Sequence, residues 1–90
     1  MYYVYILFSN KDYQLYTGYT PDLKKRIFSH EKGLVKATHF RRPLQLIYYE
    51  CYINRIDAKR REKFLKGGKG RSELKIQLKE VLGKLKYKNL

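Results

Sequence analysis

The chain has 90 residues, enough for one domain with a modest core. It carries 21 Lys and Arg against 8 Asp and Glu, a formal net charge of +13, and one cysteine, Cys51. A lone cysteine excludes an internal disulfide or a cysteine-built metal cluster and points to a reducing, cytoplasmic setting, while the charge calls for a polyanion, nucleic acid before a membrane surface.

The opening run MYYVYILFSN is apolar but short and has no basic region before it, so it reads as neither a signal peptide nor a membrane span. It predicts a strand over 2–8. Tyr2, Val4, Ile6 and Phe8 share one face, and Tyr3, Tyr5 and Leu7 the other. Both faces are apolar or aromatic, so both should be covered. SNKD is turn chemistry, and YQLYTGYT is a second strand forming a hairpin with the first. A turn centred on Asn10 and Lys11 sets Tyr5 opposite Tyr16. Gly18 then falls on the same face, where a strand glycine marks a bulge or the close approach of backbone or ligand.

Pro21 and Asp22 open a helix over about 21–31 that stops at Gly33, with Asp or Thr as cap. Leu23 and Ile27 form its buried stripe. Arg26 and His30, four residues apart, flank that stripe at the sheet edge. His39, in the loop HFRRP, has no evident partner. PLQLIYYECY is a third strand, about 44–52.

Asn54 or Asp57 opens a second helix, about 54–66, which ends at GGKG. That glycine run reads as a helix stop and turn rather than a phosphate nest. Ala58 and Leu65 point inward, and Glu62 lies on the same stripe among Arg60, Arg61 and Lys63. A carboxylate directed inward needs a partner. Arg26 or Arg61 could serve, or a divalent cation, since one carboxylate suits Mg²⁺ with waters and substrate phosphates. Ser72 can cap a third helix with Leu74, Leu78, Val81, Leu82 and Leu85 on one face. That stripe belongs to the core, which leaves no membrane partner. Residues 55–88 hold thirteen bases and four acids. The order is β-β-α-β-α-α: an α/β fold with a small three-stranded antiparallel or mixed sheet flanked by helices, one monomeric domain over 1–90.

These residues together resemble the GIY-YIG nuclease family, in its small stand-alone bacterial branch. The two triplets appear as YVY (Tyr3, Val4, Tyr5) and YTG (Tyr16, Thr17, Gly18), followed by Arg26 in DLKKR, His30, RRP at Arg41 to Pro43, and Glu62 in AKRREK. Tyr3 stands at the first glycine of the motif, and GRSELK lacks the late asparagine of many members. The resemblance implies a divalent-metal-dependent endonuclease that hydrolyses DNA phosphodiester bonds. Tyr5 or Tyr16 would act as general base, Arg26 would stabilise transition-state charge, and His30 would orient groups or relay a proton. Glu62 would hold Mg²⁺ or Mn²⁺. Substrate contacts are expected at Gly18, Tyr19, Lys25, Arg41, Arg42, Arg61 and Lys66. The alternative is a non-catalytic module that binds DNA or RNA, with the tyrosines as stacking platforms.

Overall fold

In the computed structural model, residues 1–85 and Tyr87 are described. Three strands, β1 (Tyr2–Ser9), β2 (Leu15–Thr20) and β3 (Leu44–Tyr52), form one antiparallel sheet in the order β2-β1-β3. Helix α1 (Leu23–Glu31) and a 3₁₀ turn (His39–Arg41) lie between β2 and β3. Helices α2 (Arg55–Lys66), α3 (Gly68–Gln77) and α4 (Lys79–Lys84) follow. The lysines at 86 and 88, part of the basic stretch in the sequence, lie outside the described residues.

As the apolar pattern of both faces predicts, central β1 is covered on both sides, and Val4 to Phe8 are at most 1% exposed. Val4, Ile6 and Phe8 pack with Ala58, Leu65, Leu74 and Leu82 from the three C-terminal helices. Tyr5 points the other way, toward α1.

The hairpin register differs from the expected one by two residues. Tyr5 pairs with Gly18, and Leu7 pairs with Tyr16. The turn is longer than two residues because side chains bind its backbone. Ser9 Oγ accepts from the N–H groups of Lys11 and Asp12 at 3.2 and 3.1 Å, and Asp12 Oδ1 accepts from that of Gln14 at 2.9 Å. Tyr13 adopts φ 59° within this turn.

Asp22 caps α1, its Oδ1 accepting from Lys25 N–H at 3.1 Å, and Asn54 caps α2 likewise through Ile56 N–H at 2.8 Å. Leu23 and Ile27 are only half-buried. With Tyr3, Leu46 and Tyr49 they line an open cavity of about 640 Å³. The residue of α1 that is buried is His30.

GGKG does end α2, but it also starts α3. Gly67 is the boundary, Gly68 to Gly70 form the next helical turn, and Ser72 is exposed inside α3 rather than capping it. A Cβ on Gly70 would overlap the Phe64 carbonyl, so this close helix junction requires glycine there. The last helix breaks at Leu78 into α3 and α4. Leu74 and Leu82 are buried, Leu78 and Leu85 pack against the core, and Val81 points out at 38% exposure.

Candidate active site

On the α1 side of the sheet, four elements converge. Tyr5 comes from β1, Tyr16 from β2, Arg26 and His30 from α1, and Thr38 from the loop before the 3₁₀ turn. His30 Nε2 is 2.7 Å from Tyr5 Oη, and His30 Nδ1 is 2.7 Å from Thr38 Oγ1. Arg26 donates its Nε–H to Tyr5 Oη at 3.4 Å. The Tyr16 ring meets the His30 ring edge-on at 5.4 Å between centroids and lies 6.4 Å from that of Tyr5. The four-residue spacing of Arg26 and His30 puts both on the face of α1 turned to the sheet.

The site has a dry layer and a wet one. Tyr5, His30 and Thr38 are at most 1% exposed, while Tyr16 and Arg26 are half-exposed. Burial pushes the Tyr5 phenol up to about 12, against the opposing pull of the Arg26 hydrogen bond; nearby Tyr16 and Glu62 add to the rise. Burial and then the Arg26 charge hold the His30 imidazole down at about 4. His30 is thus a neutral ring inside the fold, not a helix-end cation. Arg26 is raised, first by its hydrogen bond to Tyr5, and its charge is also supported by Tyr16. Among the described residues no carboxylate pairs with Arg26, whereas Arg41, Arg60 and Arg61 each hold one.

Glu62 lies on α2 with its side chain 14% exposed. Its charge reaches the Tyr5 phenol. The carboxylate meets Lys66 Nζ at 3.0 Å and Lys59 Nζ at 3.5 Å, both on its own helix, rather than Arg26 or Arg61. Among the described residues no cluster of three His, Cys, Asp or Glu could cage a metal. A single hard carboxylate fits a loosely held Mg²⁺ completed by waters and phosphate oxygens, and it does not fit a tight protein site.

The expected substrate contacts divide. A Cβ on Gly18 would overlap the ring and hydroxyl of Tyr5, so the bare backbone makes room for Tyr5 rather than for a ligand. Tyr19 is on the opposite sheet face, beneath Lys59 Nζ at 4.6 Å from its ring centroid. Arg41 is bound to Asp12 at 2.7 Å and to the Leu15 carbonyl at 3.4 Å. Arg61 grips Glu50 through Nε and Nη2 at 2.9 to 3.2 Å. Arg42, exposed, donates to the carbonyls of His39 and Glu31, and exposed Lys66 reaches Glu62. Lys25 is exposed and joins Arg26, Thr20 and Ser29 around a shallow pocket of about 300 Å³. His39 has a partner after all: its Nδ1 donates to the Gly33 carbonyl at 2.9 Å.

Two residues of consequence escaped the sequence reading. Glu50 accepts from Tyr48 and Tyr52 hydroxyls at 2.5 and 2.6 Å as well as from Arg61. Its signal was available, since it is the one charge in a strand otherwise apolar or aromatic around it. Thr38 left no signal; a threonine in a loop has no periodicity to mark it.

An antiparallel β2-β1-β3 sheet that gathers two tyrosines, an arginine and a buried histidine on one side defines a small α/β domain with a polar site against α1. The chain belongs to the GIY-YIG family: the family model described as the GIY-YIG catalytic domain matches residues 1–75. A UPF0213 protein of Staphylococcus saprophyticus is 41% identical over 75 residues, covering 82% of this chain and 90% of that one. A UPF0213 protein of Clostridium perfringens is 46% identical over 67 residues, 73% of this chain and 71% of that one. One from Streptococcus pyogenes is 43% identical over 72 residues, 79% and 77%. No solved structure matches the chain significantly. No helix among the described residues is long and apolar enough to cross a membrane.

Proposed function

We propose that this protein is an endonuclease that hydrolyses phosphodiester bonds in nucleic acid, DNA before RNA, acting as a single cytoplasmic domain over residues 1–90. The observation that carries the reading is Arg26. A half-buried guanidinium that has no carboxylate partner among the described residues, anchored by a phenol and facing a shallow pocket, is a site prepared for a phosphate.

Tyr16 is the better general base. Its hydroxyl-bearing ring is half-exposed beside Arg26, whereas Tyr5 is fully buried and its phenol held at about 12. As phenolate, Tyr16 Oη takes a proton from the attacking water while the new oxygen–phosphorus bond forms. The bond from phosphorus to the 3′-oxygen breaks, and that oxygen is protonated by water, leaving 5′-phosphate and 3′-hydroxyl ends. Arg26 stabilises the charge that builds on the non-bridging oxygens. Tyr5 and His30 form the rigid layer beneath, which holds Arg26 at its angle. Glu62 would hold Mg²⁺ or Mn²⁺ in exchange for its lysine partners. When bound, the ion supplies Lewis-acid stabilisation of the leaving oxygen. Lys25, Arg42 and Lys66 are free enough to contact phosphates.

A second reading, a binding module without catalysis, is favoured by one feature. The Glu62 carboxylate is already neutralised by Lys59 and Lys66. The deciding experiment is incubation of the protein with single-stranded, duplex and branched DNA and RNA, with Mg²⁺, Mn²⁺ or chelator. Metal-dependent cleavage with 5′-phosphate products is expected. Salt-sensitive binding without cleavage under any of these conditions would replace the enzyme with the binding module.

A further inference from the structure

Thr38 is the third member of a buried hydrogen-bond chain. Its own N–H donates to the Val35 carbonyl at 3.1 Å, a tight turn that fixes the residue over His30. Thr38 Oγ1 lies 2.7 Å from His30 Nδ1. Across the ring, Nε2 lies 2.7 Å from Tyr5 Oη, which also receives the Arg26 Nε–H. Thr38, His30 and Tyr5 are all at most 1% exposed, so bulk water does not supply other partners.

The donor inventory selects one tautomer. A neutral imidazole has one donor nitrogen and one acceptor nitrogen. Arginine only donates. The acceptor that the Tyr5 hydroxyl meets among the described residues is therefore His30 Nε2. Thr38 competes as a donor at Nδ1, but a phenol is far more acidic than an aliphatic alcohol and is the stronger donor. The ring accepts from Tyr5 at Nε2 and donates from Nδ1 to Thr38.

We propose that Thr38 is a positioning residue: by accepting the Nδ1–H of His30, it holds the ring in the tautomer whose Nε2 accepts the hydrogen bond donated by the Tyr5 O–H, leaving the phenol's lone pair to anchor Arg26. In the other tautomer, Tyr5 Oη would face two N–H donors, and its own proton would turn away from the ring without an acceptor. Arg26 would lose its fixed angle. The consequence for cleavage rests on the endonuclease reading above; the tautomer itself does not.

The test is the ¹⁵N spectrum of the His30 ring in labelled protein, assigned with His30→Gln. The wild-type ring should show a protonated Nδ1 and an unprotonated Nε2. Thr38→Val keeps the side-chain shape and removes the acceptor, so the proton should redistribute toward Nε2. Thr38→Ser should restore the wild-type pattern. On a cleaved substrate, Thr38→Val should lower kcat on the order of 10- to 100-fold, by analogy with the loss of the hydrogen-bond partner behind a metal-bound histidine, with less change in KM and recovery in Thr38→Ser. A wild-type ring protonated at Nε2 overturns the inference, whether or not Thr38→Val folds. So does a folded Thr38→Val with an unchanged ring spectrum. If the wild type cleaves nothing, the endonuclease reading fails alone, because the ring spectrum needs no substrate.

Discussion

Gly18 and Tyr5 are direct partners across β2 and β1, and the Tyr5 ring lies where a Gly18 side chain would be. The glycine of the second family triplet therefore serves the tyrosine of the first. Gly18→Ala must push the ring away from His30 and Arg26. A destabilisation of roughly 1–3 kcal/mol is expected, the usual cost of overpacking. Urea unfolding should show it, together with loss of cleavage. A variant as stable and active as the parent would contradict the geometry.

The two tyrosines should separate when each loses its hydroxyl. Tyr5→Phe strands His30 Nε2 and the Arg26 Nε–H, and it should cost about 1–3 kcal/mol in unfolding free energy. Tyr16→Phe, at a half-exposed position, should leave stability within about 0.5 kcal/mol. Its cleavage rate should fall by about 10²- to 10⁴-fold, the share of a general base. Tyr16→Phe cleaving like the parent would remove Tyr16 as the base.

Arg26→Lys keeps the charge and loses the planar fork and its Nε–H to Tyr5. Cleavage should nearly vanish while affinity for DNA changes little, because one phosphate contact among several matters little to binding. Measured side by side by gel assay and fluorescence anisotropy, an equal loss in both would make Arg26 a binding residue only.

Glu62→Gln should abolish cleavage at every Mg²⁺ or Mn²⁺ concentration tested, and a folded variant that cleaves like the parent would remove Glu62 as the metal-holding residue. Affinity for DNA should stay equal or rise, since Lys59 and Lys66 are released toward phosphates. Affinity should also fall with salt. Engaging about four to six phosphates gives a slope of log K against log salt of roughly −3.6 to −5.4 on duplex DNA. A slope near zero would remove nucleic acid as the partner.

His30 predicts how stability changes in acid. Its folded value of about 4 lies below the value of about 6.5 expected in the unfolded chain. Below about 6.5 the unfolded chain takes up a proton that the folded ring refuses. The His30 contribution is complete above that pH, is lost as pH falls toward about 4, and has a slope of at most about 1.4 kcal/mol per pH unit. Carboxylates that titrate in the same range make the difference between the parent and His30→Asn the informative quantity. Parallel stability profiles for the two chains would show that the buried ring takes up its proton freely.

Much of this molecule is legible along the chain because its signals are local. Both parities of 2–8 are apolar, so a doubly covered strand follows from period alone. Asp22 and Asn54 sit where helix starts need a side-chain acceptor. Arg26 and His30 share a face because four residues make about one turn. What the sequence could not decide were matters of register and partner choice. Side chains of Ser9 and Asp12 lengthen the hairpin turn, and that alone moves Gly18, rather than Tyr16, opposite Tyr5. Arg61 and Glu62 are adjacent in sequence but a helix turns them apart, one to Glu50 on β3 and the other to lysines of its own helix. Thr38 matters through a contact with a ring eight residues earlier, across an irregular loop that no periodicity describes. Local chemistry writes elements into the chain; which buried donor meets which acceptor is settled when distant segments compete for the same space.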